Sequence, residues 1–256
     1  MSVDIERYAE RLDDAARHAV AVTQLSAEAE LALPDAYQVQ SASVALRLAR
    51  GERRTGMKMG FTSRAKMVQM GIDTMIWGRL TSGMVVEEGG ELALSRYVHP
   101  RVEPEIAFLL KRTLAGPVTL PEAMAAVEAV APAMEIIDSR YNDFKFSLGD
   151  VVADNSSSSG YCVGPWSAPD VDTANLGLVM SFDGRPVQIG SSAAILGHPL
   201  RSLVVAAAFA SAAGEDLPAG SIVLAGGAST AEALRVGVHV RLEMQSLGSV
   251  SFRVAG

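Results

Sequence analysis

Two acidic residues, Glu103 and Glu105, lie close together in an otherwise apolar stretch of the chain. The alternation of apolar side chains from Val102 to Leu110 predicts a β-strand. Because successive side chains in a strand point to opposite faces, both acids would share one face, beside Ala107. Neighbouring carboxylates on an apolar surface repel each other and lose hydration, so we expect a positive partner to offset that cost.

A third acid, Glu135, lies in a second apolar, strand-like run at residues 132–137. Three carboxylates on apolar strands are typical of a site for a hard divalent cation such as Mg²⁺ or Mn²⁺, which prefers oxygen ligands. The residues alone also allow another interpretation, in which Glu103 and Glu105 line the solvated face of an antiparallel strand. The two-acid spacing by itself does not separate these interpretations.

Lys58 is the basic residue whose setting fits such a site. It lies between Met57 and Met59 in a short apolar run, where a lysine is desolvated and needs a negative partner. The alternative is a lysine whose apolar stem is buried while its ammonium reaches the surface.

Two loops carry further polar groups. Asp154 opens a run rich in hydroxyl groups that includes Ser158, and it could orient a substrate or simply form an Asx turn. Gly226 and Gly227 precede Thr230, and their backbone N–H groups could approach a carboxylate or merely end a strand.

Composition excludes several classes of function. The chain has 256 residues, 49% of them hydrophobic, and a net charge of −7, so a large core is expected and a nucleic-acid partner is not. The longest apolar run, at residues 203–213, is too short for a membrane helix, and the N-terminal residues lack the apolar region of a signal peptide. The single cysteine, Cys162, suits a reducing compartment, so we expect a cytoplasmic protein. The usual motifs of serine hydrolases, zinc proteases, P-loop NTPases and dinucleotide-dependent dehydrogenases are missing from the sequence.

The order of the elements predicts an α+β protein. Helical patterns at residues 4–22 and 36–50 form a small N-terminal helical element, residues 1–52, with Asp35 and Gln38 as a capping box for the second helix. Residues 53–256 are strand-rich and form the expected catalytic domain. Residues 71–80 are predicted to be a loop, residues 119–130 a helix capped by Thr119 and Glu122, residues 178–189 a hairpin, and residues 199–213 a helix.

Several stretches together resemble the fumarylacetoacetate hydrolase superfamily, in its hydratase/decarboxylase branch of aromatic meta-cleavage pathways. They are Lys-Met-Gly-Phe-Thr-Ser-Arg-Ala-Lys-Met at 58–67, Glu-Pro-Glu-Ile-Ala-Phe at 103–108, Pro-Ala-Met-Glu-Ile-Ile-Asp-Ser-Arg at 132–140, Val-Ala-Asp-Asn at 152–155 and Leu-Gly-His-Pro at 196–199. The similarity extends from about residue 4 to residue 250.

That resemblance implies a mixed β-roll core and a Mg²⁺ or Mn²⁺ ion held by Glu103, Glu105 and Glu135, with Lys58 reaching the bound substrate. It implies a carbon–carbon lyase that decarboxylates a 2-oxo acid, 2-oxo-3-hexenedioate, and that forms a homo-oligomer or a complex with the hydratase of the next step. The residues expected to bind substrate are Lys58, Arg64, Asp154, Ser158 and Thr230, and the candidates for binding the departing carboxylate are Arg64, Arg79 and Arg140.

Two other activities remain open on the same resemblance. The first is hydration of 2-hydroxypenta-2,4-dienoate; here Ile76-Trp77-Gly78 stands where the hydratases tend to carry Asp-Phe-Gly, and the loss of that acid favours decarboxylation. The second is a non-catalytic partner subunit, although the four chemically important side chains are all present.

Overall fold

The computed structural model describes residues 3–63 and 74–256. The helices are α1 (Ile5–His18), α2 (Leu33–Ala49), α3 (Leu120–Ala126), α4 (Leu148–Ala153) and α5 (Leu200–Ala212). The strands are β1 (Arg54–Gly60), β2 (Ile76–Thr81), β3 (Glu91–Ala93), β4 (Arg101–Leu110), β5 (Val127–Ile137), β6 (Ser158–Val163), β7 (Gly177–Phe182), β8 (Arg185–Ser191), β9 (Ile222–Leu224), β10 (Glu232–Ala233), β11 (His239–Met244) and β12 (Gly248–Ala255).

Within the described residues, the strands form two mixed sheets that enclose the main core. The larger sheet has seven strands in the order β2-β1-β9-β4-β5-β6, with β10 paired to β4, and the smaller has five in the order β3-β12-β11-β7-β8. The β1/β9 and β12/β3 pairs are parallel and the other pairs are antiparallel. The α+β class and the mixed β-roll core are thus confirmed.

The long β4/β5 pair positions the acidic residues. Its register sets Glu103 directly opposite Glu135, and Glu105 opposite Ala133. Directly paired residues of an antiparallel ladder project from the same face, so all three acids point to one side of the sheet. The opposite face of β4, which carries Ile106 and Phe108, packs into the main core.

The two N-terminal helices pack on the rest of the chain through their own buried cluster. Leu12 of α1 and Val39 of α2 belong to one buried cluster with Tyr141, which precedes α4, and Val152, which lies within α4. This cluster holds the segment around α4 beside the larger sheet. A division of the chain at residue 52 remains a prediction.

Two predictions about the helices were wrong in detail. Helix α2 begins at Leu33, with Pro34 in its first turn, so Asp35 lies inside the helix as a first-turn acid and caps nothing. Helix α3 has the predicted capping box of Thr119 and Glu122 but ends at Ala126, because the chain then continues as β5.

The prediction of a loop at residues 71–80 was also wrong for its described part, since β2 begins at Ile76. Pairing with β1 organises this stretch, and it sets Gly78 opposite Lys58. The hairpin was predicted correctly: Asp183 and Gly184 both have positive φ, as a tight primed turn requires, between β7 and β8.

Candidate metal centre and substrate cavity

The three glutamates of β4 and β5 converge on one point. One carboxylate oxygen from each of Glu103, Glu105 and Glu135 lies within 4.8 Å of the other two. Glu105 and Glu135 are completely buried, so the alternative of a solvated strand face is wrong for Glu105, whereas Glu103 is half-buried. Such a cluster of oxygens has the size and donor chemistry that suit a hard divalent cation.

Burial and the repulsion of neighbouring carboxylates make Glu105 and Glu135 costly to ionise. Burial, followed by the charges of Glu135 and Glu103, raises the pKa of Glu105 well above its ordinary value. Burial also raises the pKa of Glu135, although the charge of Lys58 opposes that effect. Oε1 of Glu105 and both carboxylate oxygens of Glu135 are buried without a well-oriented hydrogen-bond partner in the described part of the chain. Oxygens in this state need a cation, so the residues fit a divalent metal ion.

Lys58 supplies part of the positive charge. Its side chain is buried, and its Nζ lies 3.2 Å from Oε2 of Glu135. The alternative of a lysine that reaches the surface is therefore wrong. One ammonium group cannot compensate three carboxylates, so the cluster still favours a further cation.

The turn after β9 completes the polar end of the site. Gly226 donates its backbone N–H to Oε2 of Glu105 at 2.7 Å. A Cβ on Gly226 would lie 2.1 Å from Oγ1 of Thr62, and one on Gly227 would lie 2.4 Å from Oε2 of Glu103. Only glycines allow this close approach. The Gly226 N–H group donates its hydrogen bond to a carboxylate of the protein itself.

A cavity of about 490 Å³ opens beside the acidic cluster. Lys58 and Glu103 line its polar end, and the aromatic rings of Phe144 and Phe146 line its apolar part together with Ile76. A cavity with charged groups at one end and hydrocarbon along its walls suits a small carboxylic acid with a carbon chain.

The structure treats the predicted substrate-binding residues differently. Thr230 is exposed and lines the cavity. Ser158 is buried and lies outside the described lining of the cavity. Its hydroxyl group is close to Glu135, where it opposes the rise in the pKa of that residue. Asp154 lies outside the described lining and forms a buried ion pair with Arg140. Arg64 lies outside the described residues.

The other two predicted arginines are also held away from the cavity. Arg79 packs over Trp77 and bonds to Glu215 and Gln40, so its charge is already paired. Arg140 binds Asp154. Neither is among the described residues of the lining.

Arg101 was missed by the sequence analysis, yet it lines the cavity beside Glu103. The signal was present, because Arg101 lies two residues before Glu103 and the same strand alternation places both side chains on one face.

Ser156 and Ser157 were not singled out either, and both line the cavity from a strained turn. Asn155, Ser156 and Ser157 have consecutive positive φ values of 49°, 52° and 60°. The Asn155 side chain bonds to both the N–H and the C=O of Arg79, which holds this turn against β2. Strained backbone that is held in this way is typical of functional sites.

Comparison with known proteins agrees with this geometry. The family model for the fumarylacetoacetate (FAA) hydrolase C-terminal region matches residues 62–255. The chain belongs to the fumarylacetoacetate hydrolase family. It is 60% identical to a 4-oxalocrotonate decarboxylase of Pseudomonas sp over 252 residues, 98% of each chain. It is 34% identical to a 2-hydroxyhexa-2,4-dienoate hydratase of Comamonas testosteroni, over 97% of each chain.

The solved structures include a family member with nearly the same backbone. The 4-oxalocrotonate decarboxylase from Pseudomonas putida G7, complexed with magnesium and adipate, superimposes with a TM-score of 0.94 at 38% identity, covering 98% of this chain and 97% of that one.

In this chain, no helix among the described residues is long and apolar enough to cross a bilayer.

Glu105→Gln tests whether the acidic cluster exists to bind a cation. The amide keeps an acceptor for Gly226 but removes one carboxylate, so we expect the metal-free variant to be at least as stable as the parent. We also expect loss of the Mg²⁺-dependent rise in melting temperature, which for the parent at 100 times Kd corresponds to about 2.7 kcal/mol. Glu128→Gln, which changes an exposed acid on the neighbouring strand β5, is the control. Mg²⁺ binding that survives in Glu105→Gln would contradict the site.

Asp154→Ala separates a structural from a substrate-binding role for that residue. Burial raises the pKa of Asp154 to about 6 although Arg140 opposes that effect, so most of the Asp154 carboxyl groups carry a charge at pH 7. Removing one partner leaves a buried guanidinium uncompensated, and we expect a loss of about 3–5 kcal/mol in urea denaturation. Glu243→Ala, which breaks the exposed Arg241–Glu243 pair, should change stability little. Full stability with weakened substrate binding would instead favour direct contact with substrate.

Proposed function

We propose that this protein is a divalent-metal-dependent decarboxylase, a carbon–carbon lyase that converts 2-oxo-3-hexenedioate (4-oxalocrotonate) to 2-hydroxypenta-2,4-dienoate and CO₂ in the meta-cleavage catabolism of aromatic compounds. The observation that carries the proposal is the trio of carboxylates, two of them completely buried, with Lys58 beside it, at one end of a largely apolar cavity. The 60% identity to a 4-oxalocrotonate decarboxylase over nearly the whole chain supports this substrate.

In this proposal Glu103, Glu105 and Glu135 hold Mg²⁺ or Mn²⁺. Bound there, such an ion would supply Lewis-acid stabilisation of the negative charge that develops on the substrate when CO₂ leaves. The glutamates would fix the position of the ion, and the Gly226 N–H group holds the carboxylate of Glu105 in place.

The electron flow needs no nucleophile from the protein. The C5–C6 bond breaks to release CO₂, its electron pair forms the C4–C5 double bond, and the former C3–C4 pair forms the C2–C3 double bond. The carbonyl pair moves onto the C2 oxygen, which then takes a proton. Lys58, already aimed into the acidic cluster, is positioned to stabilise this oxygen electrostatically.

The walls of the cavity favour decarboxylation over hydration. Addition of water to a dienoate needs a group that activates water. Ile76 lines the cavity with hydrocarbon, at the position where the hydratases that this chain resembles tend to carry an acid. An apolar wall also favours the conversion of a carboxylate to neutral CO₂. A non-catalytic partner subunit would have no need for the intact cluster of Lys58 and three glutamates.

The decisive test is a pair of assays on the purified protein. We expect Mg²⁺-dependent CO₂ release from 2-oxo-3-hexenedioate, abolished by a chelator and restored by Mg²⁺ or Mn²⁺, and at most slow addition of water to 2-hydroxypenta-2,4-dienoate. Lys58→Met should lower kcat by on the order of 100-fold or more, because it removes the charge and keeps the shape. Lys111→Met, on the surface, is the control. Faster hydration than decarboxylation would reverse the assignment, and inactivity of the protein alone would favour the partner-subunit role.

We further propose that the protein acts in the cytoplasm as a homo-oligomer and forms a complex with the hydratase that consumes its product. The lone cysteine, a buried thiol whose pKa burial raises to about 12, suits a reducing compartment. The exposed apolar side chains of Val85, Ile189 and Val236 are available for contacts between subunits. Light scattering should give a mass above that of one chain, and a monomer across the micromolar range would contradict the assembly.

A further inference from the structure

Arg101 stands at the first position of β4, two residues before Glu103. Its side chain lines the same cavity as Lys58 and Glu103. Two residues of a strand span about 7 Å, so the guanidinium reaches the cavity at a distance from the acidic cluster. The cavity lining therefore has a second cationic group besides Lys58.

The guanidinium of Arg101 has an aromatic support but no acidic partner among the residues that the structure describes. Its central carbon lies 4.6 Å from the centroid of the Phe144 ring. No carboxylate of the described residues lies within ion-pair distance of it, whereas Arg79 and Arg140 are both paired. Stacking on a ring face leaves the N–H edges of a guanidinium free to bind a carboxylate in a bidentate manner.

The backbone that presents Phe144 is strained in a way that supports a functional role. Asp143 and Phe144 both have positive φ, 60° and 55°, within a short turn. Positive φ is uncommon for a bulky aromatic residue and costs free energy. The turn places the ring both on the cavity wall and beneath Arg101.

We infer that Arg101 binds the distal carboxylate of the substrate and selects dicarboxylates over monocarboxylates. The inference rests on the proposed function. With the 2-oxo acid head at the glutamate cluster, an extended chain of four C–C bonds places the distal carboxylate about 5 Å beyond C2, along the wall toward Arg101. The carbon chain between the two ends lies against the aromatic part of the cavity.

The chemistry determines how this contact affects the rate. The distal carboxylate is the group that leaves as neutral CO₂, so its attraction to Arg101 weakens as the C–C bond breaks. Arg101 therefore stabilises the bound substrate at least as much as the transition state, so its loss should raise KM and should not lower kcat. This differs from Lys58, whose loss lowers kcat.

Arg101→Gln and Arg101→Lys, with Arg235→Gln as an exposed control of equal charge loss, test the inference in steady-state assays with 2-oxo-3-hexenedioate. We expect Arg101→Gln to raise KM on the order of 10–100-fold while kcat changes by only a few-fold. Arg101→Lys should recover part of the loss, and Arg235→Gln should behave as the parent. A fall in kcat with KM unchanged would overturn the inference.

Two probes separate failure of this inference from failure of the proposed function. Oxalate with Mg²⁺ reports on the glutamate cluster, and adipate, a dicarboxylate of the same chain length as the substrate, reports on the distal end. By calorimetry, Arg101→Gln should weaken adipate at least tenfold and leave oxalate unchanged. Equal effects on both ligands, or none on adipate, would overturn the role of Arg101. A parent protein that lacks decarboxylase activity but binds adipate through Arg101 would refute the proposed reaction and support the subsite.

Discussion

The structure depends on one electrostatic constraint, the packing of three carboxyl groups, two of them completely buried, around a single ammonium group. Burial and mutual repulsion raise the pKa of Glu105 and Glu135, so the folded chain holds this site at a cost in stability. Such a cost is typical of functional sites. The surrounding elements reduce it without removing it, since Lys58 pairs with Glu135 and Gly226 donates to Glu105. The remaining attraction for a cation is the property that a metal-dependent lyase needs.

The sheet makes this arrangement possible by combining the long β4/β5 pair with the short strand β9. The β4/β5 ladder aligns Glu103 with Glu135, while β9 ends at Leu224, before it reaches the level of the acids. The chain then turns at Gly226 and Gly227 and brings a backbone donor to the site instead of another strand. The cavity that results is polar at the sheet and aromatic farther out. That gradient suits a reaction in which negative charge develops at one end of the substrate while the carboxylate at the other end leaves as neutral CO₂.

Much of the fold could be predicted because it depends on neighbouring residues. The alternation in β4 correctly placed Glu103 and Glu105 on one face, and Asp183-Gly184 correctly predicted a hairpin. Predictions failed where a distant partner decides the local structure. Residues 76–81 have little strand pattern of their own, and pairing with β1 makes them a strand. Helix α3 ends at Ala126 because the chain after it pairs with β4, although helical spacing continues farther.

The residue pattern singled out the three glutamates and Lys58, because each stands in an apolar run where a charge needs a partner, and the family resemblance indicated a metal-dependent lyase. Which other polar groups join them depends on contacts between distant segments. Asp154 and Arg140 neutralise each other behind the cavity, whereas Arg101 faces into it. The physical reason is that periodicity fixes the face on which a side chain lies, whereas its partner depends on the pairing of segments far apart in the chain. A polar residue can therefore be recognised from its neighbours, but whether it is already neutralised depends on the complete fold.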